Sequence, residues 1–237
     1  MIAAARTHIG LVRKANEDSI LCHGQEGLFV VADGMGGHKG GQTASQGAVT
    51  VLTEALKGRE PTASRAEWAV QAANRRLFDM AGQDKDLEGM GTTVTLLWAA
   101  SSQMILAQVG DSRCYLLRNG ELRQMSRDHS LVEQLLTEGL ITPEEAAHHP
   151  YRNVITRAVG TAMGVEVDMS VFDRQQGDLW LLCSDGLHGM VDKERMTEML
   201  KADDLDTAAQ ALLDAALDAG GKDNISLILI KDEEGVQ

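Results

Sequence analysis

Four short segments of this 237-residue chain share one form: an aspartate beside a glycine or another turn residue, at the end of an apolar run. They are Val30-Val31-Ala32-Asp33-Gly34, Gln108-Val109-Gly110-Asp111-Ser112, Leu182-Cys183-Ser184-Asp185-Gly186, and Lys222-Asp223-Asn224. A fifth aspartate stands in Asn16-Glu17-Asp18. One such aspartate is ordinarily just a turn. Repeated at the ends of packed strands, the carboxylates converge on one edge of a sheet, where unpaired charges repel and raise each other's pKa. Cations within the cluster remove that problem. Carboxylates and backbone carbonyls are hard oxygen donors, suited to Mg²⁺ or Mn²⁺.

The strands that would present these aspartates are legible as short apolar runs at 19–23, 28–32, 92–100, 103–109, 113–117, 121–125, 167–173, 178–183 and 225–230. Asn119-Gly120 predicts a two-residue hairpin turn, because both positions of that turn take positive φ. Helical spacing marks 43–57 and 64–81, the latter opening on Ser64-x-x-Glu67 as a capping box. Ser130-x-x-Glu133 caps a helix to about residue 138, and Pro143 stands at the first position of a short one. Helices follow at 192–201 and 205–219, the second stopped by Gly220-Gly221. The stretch from about 133 to 164 interrupts the strand pattern and reads as a helical insertion over the sheet, a flap. Local hairpins with helices in pairs predict an α+β fold, antiparallel sheet with helices on its faces, rather than a doubly wound parallel sheet. No internal repeat or linker divides residues 1–237, so one domain is expected.

Charge narrows the partners. Lys and Arg number 22 against 35 Asp and Glu, a net charge of −13, which opposes binding to nucleic acid or an anionic membrane surface. Cys22, Cys114 and Cys183 are odd in number, far apart and set in apolar runs, which predicts buried, inert thiols in a reducing cytoplasm. No signal peptide and no membrane-length apolar run is present. The seven histidines show no zinc spacing; the adjacent His148-His149 fall in the flap and read as solvated.

Two oxygen-ligated divalent ions a few ångströms apart lower the pKa of a bridging water and clamp a phosphoryl group, so the aspartate pattern points to hydrolysis at phosphorus. Arg13, five residues before Asp18, carries a guanidinium fork that matches phosphate oxygens. The loop from Gly34 to Gly41 matches neither nucleotide-binding glycine spacing; its glycines allow a tight path that can expose the Gly34 carbonyl.

The ordered set of segments at 10–18, 31–41, 91–95, 109–115, 126–130, 153–160, 184–186 and 221–226 resembles the bacterial form of the metal-dependent serine/threonine protein phosphatases of type 2C, the PPM family, over residues 6 to about 231. The resemblance implies a four-layer sandwich, two packed antiparallel sheets with helices outside. It implies hydrolysis of phosphoserine and phosphothreonine by metal-activated water, without a phosphoenzyme. By that likeness Asp33 bridges two Mn²⁺ or Mg²⁺ ions, the Gly34 carbonyl joins the second, Asp185 and Asp223 complete the first site, and Asp18 reaches the second through water. Asp111, sharing Asp185, holds a third and weaker ion; Arg13 binds phosphate; Asn224 orders the Asp223 loop; Asp128-His129 is structural. The implied partners are phosphorylated proteins, a cognate serine/threonine kinase among them, met by a monomer.

One departure stands out. Many eukaryotic members carry a proposed general-acid histidine two residues after the first-motif aspartate, and here that position is Met35, which donates no proton. His38 and a water on the third ion remain as sources. The competing reading is a catalytically inactive phosphoprotein-binding regulator of the same fold. It needs a missing ligand, and Asp33, Asp185 and Asp223 are all present.

Overall fold

The computed structural model describes residues 1–36, 40–147 and 149–233. Two antiparallel sheets form its centre. The first joins β1 (Ile2–His8), β11 (Ile225–Lys231), β10 (Leu179–Cys183), β7 (Arg113–Arg118) and β8 (Glu121–Gln124), in that order across the sheet. The second runs β2 (Asp18–His23), β3 (Leu28–Met35), β5 (Val94–Ala99), β6 (Gln103–Val109) and β9 (Asp168–Asp173), with the two-residue β4 (Gly91–Thr92) paired to the end of β3.

Alternation along the strands builds the layers, since successive side chains point to opposite faces. In β3, Phe29 and Val31 enter the space between the sheets, whereas Leu28 and Val30 face α1 (Gly40–Leu56) and α2 (Ala63–Gln83). In β11, Ile228 and Ile230 point between the sheets; Ile225, Leu227 and Leu229 face α5 (Asp185–His188), α6 (Lys193–Met199) and α7 (Leu205–Asp218). The result is the expected four-layer order of helices, sheet, sheet, helices. Phe29, Val31, Leu97, Trp180, Leu182, Ile228 and Ile230 are fully buried between the sheets. Each such side chain contributes about 1.5–3 kcal/mol, against about 0–1 for a surface ion pair, so this layer outweighs the surface contacts in holding the sandwich.

Several local features differ from the sequence expectation. β1 was not legible: its Ile-Ala-Ala-Ala-Arg-Thr-His run has weak strand propensity and is held by seven register pairs to β11, at the other end of the chain. β3 does not stop before Asp33 but continues to Met35, because β4 supplies partners for Gly34 and Met35. The single strand expected over 92–100 is broken at Thr93, whose N–H turns to the Asp33 carbonyl (2.9 Å). Helix α2 is capped by Thr62, whose hydroxyl accepts from Arg65 N–H, and Ser64 lies inside the helix. Cys22 is half-buried, unlike the buried Cys114 and Cys183; burial raises all three thiols. The hairpin turn follows prediction, with Asn119 at φ 54° and Gly120 at φ 79°.

Between β8 and β9 the chain leaves the sheets. α3 (Leu131–Thr137) is capped by Ser130, whose hydroxyl accepts from Glu133 N–H, and α4 (Pro143–Ala147) by a reciprocal box between Thr142 and Glu145. The excursion returns through Asn153–Gly160 segment contacts, an isolated bridge pairing Ser130 with Ile155 and another pairing Thr92 with Val159. Among the described residues no helix is long and apolar enough to cross a membrane.

Candidate metal centre

The register of the sheets brings the predicted aspartates to one end of the sandwich. Asp18 opens β2 directly opposite Asp33 in β3. Asp111 follows β6, Asp185 begins α5 just beyond β10, and Asp223 precedes β11. A cavity of about 320 Å³ at this end is lined by Asp33, Gly34, Met35, Asp111, Asp185 and Asp223, with Arg13 and Glu17 at its N-terminal wall. Asp18 lies behind them, buried, its Oδ2 accepting from the Ser184 hydroxyl (2.8 Å).

Backbone contacts fix each position. Asp33 N–H donates to Thr93 Oγ1 (2.9 Å), and the Asp33 carbonyl accepts from Thr93 N–H (2.9 Å) and the Thr92 hydroxyl (2.9 Å). Gly34 is required by close approach: a Cβ there would stand 2.1 Å from the Gly41 carbonyl oxygen and 2.6 Å from that of Glu17. Asn224 does more than order its own loop. Its amide donates to the Ile9 and Ala15 carbonyls (both 2.9 Å), and its Oδ1 accepts from Glu17 N–H (2.7 Å). One side chain thereby joins the Asp223 turn to the loop that carries Arg13.

Arg13 Nη2 donates to Asp223 Oδ2 at 2.6 Å, and that bond chiefly raises the guanidinium pKa. Arg13 is half-exposed, with no further protein partner for its fork among the described residues. Lys14 does not line the cavity, and Arg157 is engaged by Asp168 and Glu166. His38 and His148 lie outside the described residues. His149 lies away from the cavity, its Nδ1 accepting from Tyr151 N–H.

The electrostatics are those of a site short of positive charge. Burial, then the neighbouring carboxylates, push Asp18 up to about 6 and Asp111 up to about 7, and hold Asp33 well above the usual range. Burial and Asp223 push Asp185 up to about 6, offset in part by contact with Asp33. Asp18 Oδ1 and Asp185 Oδ1 are buried without a hydrogen-bond partner. Among the described residues no three acidic, imidazole or thiol groups are already drawn together as a closed ligand shell. Arg13, paired with Asp223, brings positive charge to the cluster. An all-oxygen donor set with orphaned carboxylate oxygens fits hard divalent ions.

Three residues of the site were not singled out from the sequence, Glu17 and Asn153 on the cavity wall and Ser184 buried behind it. Glu17, whose carboxyl burial raises, precedes β2 and escapes strand alternation; its adjacency to Asp18 was the available signal. Ser184 bridges Asp18 and the Ser226 N–H (3.0 Å), a contact across sequence with no local signature. Asn153 reaches the cavity from the flap, and it also lines an adjoining cavity of about 630 Å³ together with Asp111, Asp185 and Asp223.

Raised carboxyl pKa values make the metal-free fold lose stability as pH rises. Below about pH 4 both states hold these protons and the contribution is fully present. Between about pH 4 and 7 the unfolded chain releases them while the folded one retains them, so the contribution drains away. Asp111→Asn should therefore gain in melting temperature over the wild type as pH is raised from about 5 to 8 without metal. Parallel melting curves for the two chains across that range would place Asp111 outside the cluster.

Comparison with known proteins agrees with this fold. A family model described as protein phosphatase 2C matches residues 11–219. The serine/threonine protein phosphatase PstP of Mycobacterium tuberculosis is 42% identical over 95% of this chain, and the chain spans 44% of that relative's length. The serine/threonine phosphatase stp of Listeria monocytogenes is 42% identical over 98% of this chain and 96% of its own. The crystal structure of the Mycobacterium tuberculosis enzyme superposes with a TM-score of 0.94 at 40% identity, covering 98% of this chain and 99% of that one. The catalytic domain of PstP in complex with two manganese ions gives 0.89 at 38% identity, covering 96% of each. The chain belongs to the protein phosphatase 2C family.

Proposed function

We propose that this chain is a protein serine/threonine phosphatase, hydrolysing phosphoserine and phosphothreonine at a centre of two Mn²⁺ or Mg²⁺ ions, with residues 1–237 acting as one catalytic domain. The observation that carries the reading is the convergence of Asp18, Asp33, Asp111, Asp185 and Asp223 on one end of the sandwich, with unpartnered oxygens on Asp18 and Asp185. A relative at 38% identity holds two manganese ions.

In this reading Asp33, Asp185, Asp223 and the Gly34 carbonyl hold the core pair, Asp18 completes it from behind, and Asp111 with Asp185 holds a third, weaker ion. Bound divalent ions supply a water of lowered pKa and an electrophilic clamp on the phosphoryl group. The chain's own groups do the rest. Arg13 offers its exposed fork to the phosphoryl oxygens while Asp223 fixes its direction. Thr93 holds the Asp33 backbone, and the Asn224 N–H donates to Asp223 Oδ1 (2.8 Å) while its amide ties that turn to Ile9. Met35 contributes no proton to the leaving group.

The substrates are phosphorylated proteins, a cognate kinase among them. The shared wall of the two cavities, from Asp111 to Asp223, leaves room beside the phosphoryl site for a protein segment. The free cysteines accord with the cytoplasm, and the chain is taken as a monomer. An inactive phosphoprotein-binding regulator of the same fold would bind a phosphopeptide without turnover.

The deciding experiment is hydrolysis of p-nitrophenyl phosphate and a phosphothreonine peptide with Mn²⁺, with and without EDTA. Turnover should need the metal and fall to background in Asp185→Ala. Full activity in excess EDTA would overturn the metal mechanism, and phosphopeptide binding without turnover would favour the regulator.

Arg13→Ala should weaken catalytic efficiency by about 10- to 150-fold, the roughly 1.5–3 kcal/mol of a charge-assisted bond. Arg13→Lys should recover only part of this, because the ammonium lacks the planar fork. Unchanged KM and kcat in Arg13→Ala would move phosphate binding elsewhere.

Asp111 lies where the two cavities meet, beside the path of a protein leaving group. Nitrophenolate leaves without a proton and a serine alkoxide does not. Asp111→Ala should therefore lower kcat more on a phosphoserine peptide than on p-nitrophenyl phosphate. Equal losses on the two substrates would confine Asp111 to placing metal.

A further inference from the structure

The turn that carries Asp111 is gripped from behind by a residue that does not line the cavity. Gly110 adopts φ +101°, a conformation that L side chains rarely take, and a Cβ there would stand 2.5 Å from Thr93 Cγ2. His129 clasps this glycine twice. Its Nδ1 accepts from Gly110 N–H at 3.0 Å, and its own N–H donates to the Gly110 carbonyl at 2.9 Å. The same residue holds the root of the flap: its carbonyl accepts from Thr156 N–H at 2.8 Å, and the neighbouring Ser130 bridges to Ile155.

The bond pattern assigns the tautomer. An Nδ1 that accepts from a backbone N–H carries no proton, so Nε2 carries it and donates to Asp168 Oδ2 at 3.1 Å. Arg157 Nη1 lies 3.1 Å from the same Nε2 but is a donor too; the two share the Asp168 carboxylate, Arg157 taking Oδ1 at 2.6 Å. The ring is buried at 6% exposure and thus locked from both sides. Arg157 also binds Glu166 within the return of the excursion, so the lock reaches the end of the flap.

We infer that His129 is a positioning residue: through Nδ1 it sets Gly110, and with it the Asp111 carboxylate, and through its backbone it makes the flap root and the Asp111 turn one mechanical unit. The consequence for metal binding rests on the proposed role of Asp111 as a ligand; the geometric part does not. A residue that orients a ligand from outside the shell is worth about 10- to 100-fold in metal affinity or activity.

Asn and Gln separate the two ring nitrogens. In His129→Asn the amide oxygen takes the place of Nδ1 and can still accept from Gly110. In His129→Gln the amide reaches toward Asp168 and leaves Gly110 without an acceptor. Amide hydrogen exchange followed by ¹⁵N NMR on the metal-free chain should find Gly110 protected in the wild type and His129→Asn, and exchanging at least about 10-fold faster in His129→Gln. The Mn²⁺ concentration for half-maximal turnover of p-nitrophenyl phosphate should rise about 10- to 100-fold in His129→Gln and stay near the wild-type value in His129→Asn. Equal exchange at Gly110 in the two variants, or equal manganese dependence, overturns the inference. Should either variant fail to fold, the ¹⁵N spectrum of the wild-type imidazole decides: a proton on Nδ1 overturns the assignment, and one on Nε2 with a bare Nδ1 upholds it. A wild-type chain without turnover would count against the proposed function, and the exchange and tautomer readouts would still judge His129.

Discussion

The structure is organised around the repulsion of carboxylates gathered at one end of a β-sandwich. Burial and mutual charge hold Asp18, Asp33, Asp111 and Asp185 above the normal carboxylate range, and two of their oxygens have no partner. Such a cluster opposes folding unless protons or cations neutralise it. The inter-sheet layer of Phe29, Trp180, Ile228 and their neighbours lies in the same strands and supplies the apolar burial that offsets this repulsion.

Rigidity at the centre comes from short contacts that mostly join a side chain to backbone. Thr93 ties β3 to the start of β5, Ser184 ties Asp18 to β11, and Asn224 ties the Asp223 turn to the N-terminal loop. A buried polar chain continues beneath them, from Thr93 Oγ1 to the Ser112 hydroxyl (2.7 Å) and from Gln108 to the Ser112 carbonyl (2.7 Å). Each buried polar atom in this chain has a partner, so the network rigidifies the site without the penalty of an orphan. Among the described residues Asp18 and Asp185 instead each keep a buried carboxylate oxygen without a partner.

The flap is attached to this framework rather than to the solvent face alone. Its return passes Asn153 into the aspartate-lined cavity, Thr156 onto His129, and Arg157 onto Asp168 of the edge strand β9. Its outer part, α3 and α4, is short, and among its described residues only Val132 and Ala146 are buried. The base of the flap is thus held more firmly than its tip.

The clustered aspartates, the hairpin at Asn119-Gly120, and most of the helices and strands were written locally. Each depends on residue type, spacing of two or 3.6, or a turn geometry that only a few residues adopt. The metal chemistry was equally local, because oxygen donors select hard cations wherever they stand. What only tertiary structure decided are pairings between distant segments. β1 became a strand because β11 offered it an edge; Asp33 stayed in the ladder because Asp18 of β2 pairs with it, and β4 carried β3 on to Met35; Ser184 met Asp18 and His129 met Gly110 through packing of separate elements. A hydroxyl or an imidazole carries no mark of its partner in the sequence, since hydrogen bonds between remote residues are set by where the backbones are brought together, and that is fixed by burial of the whole sandwich rather than by any one segment.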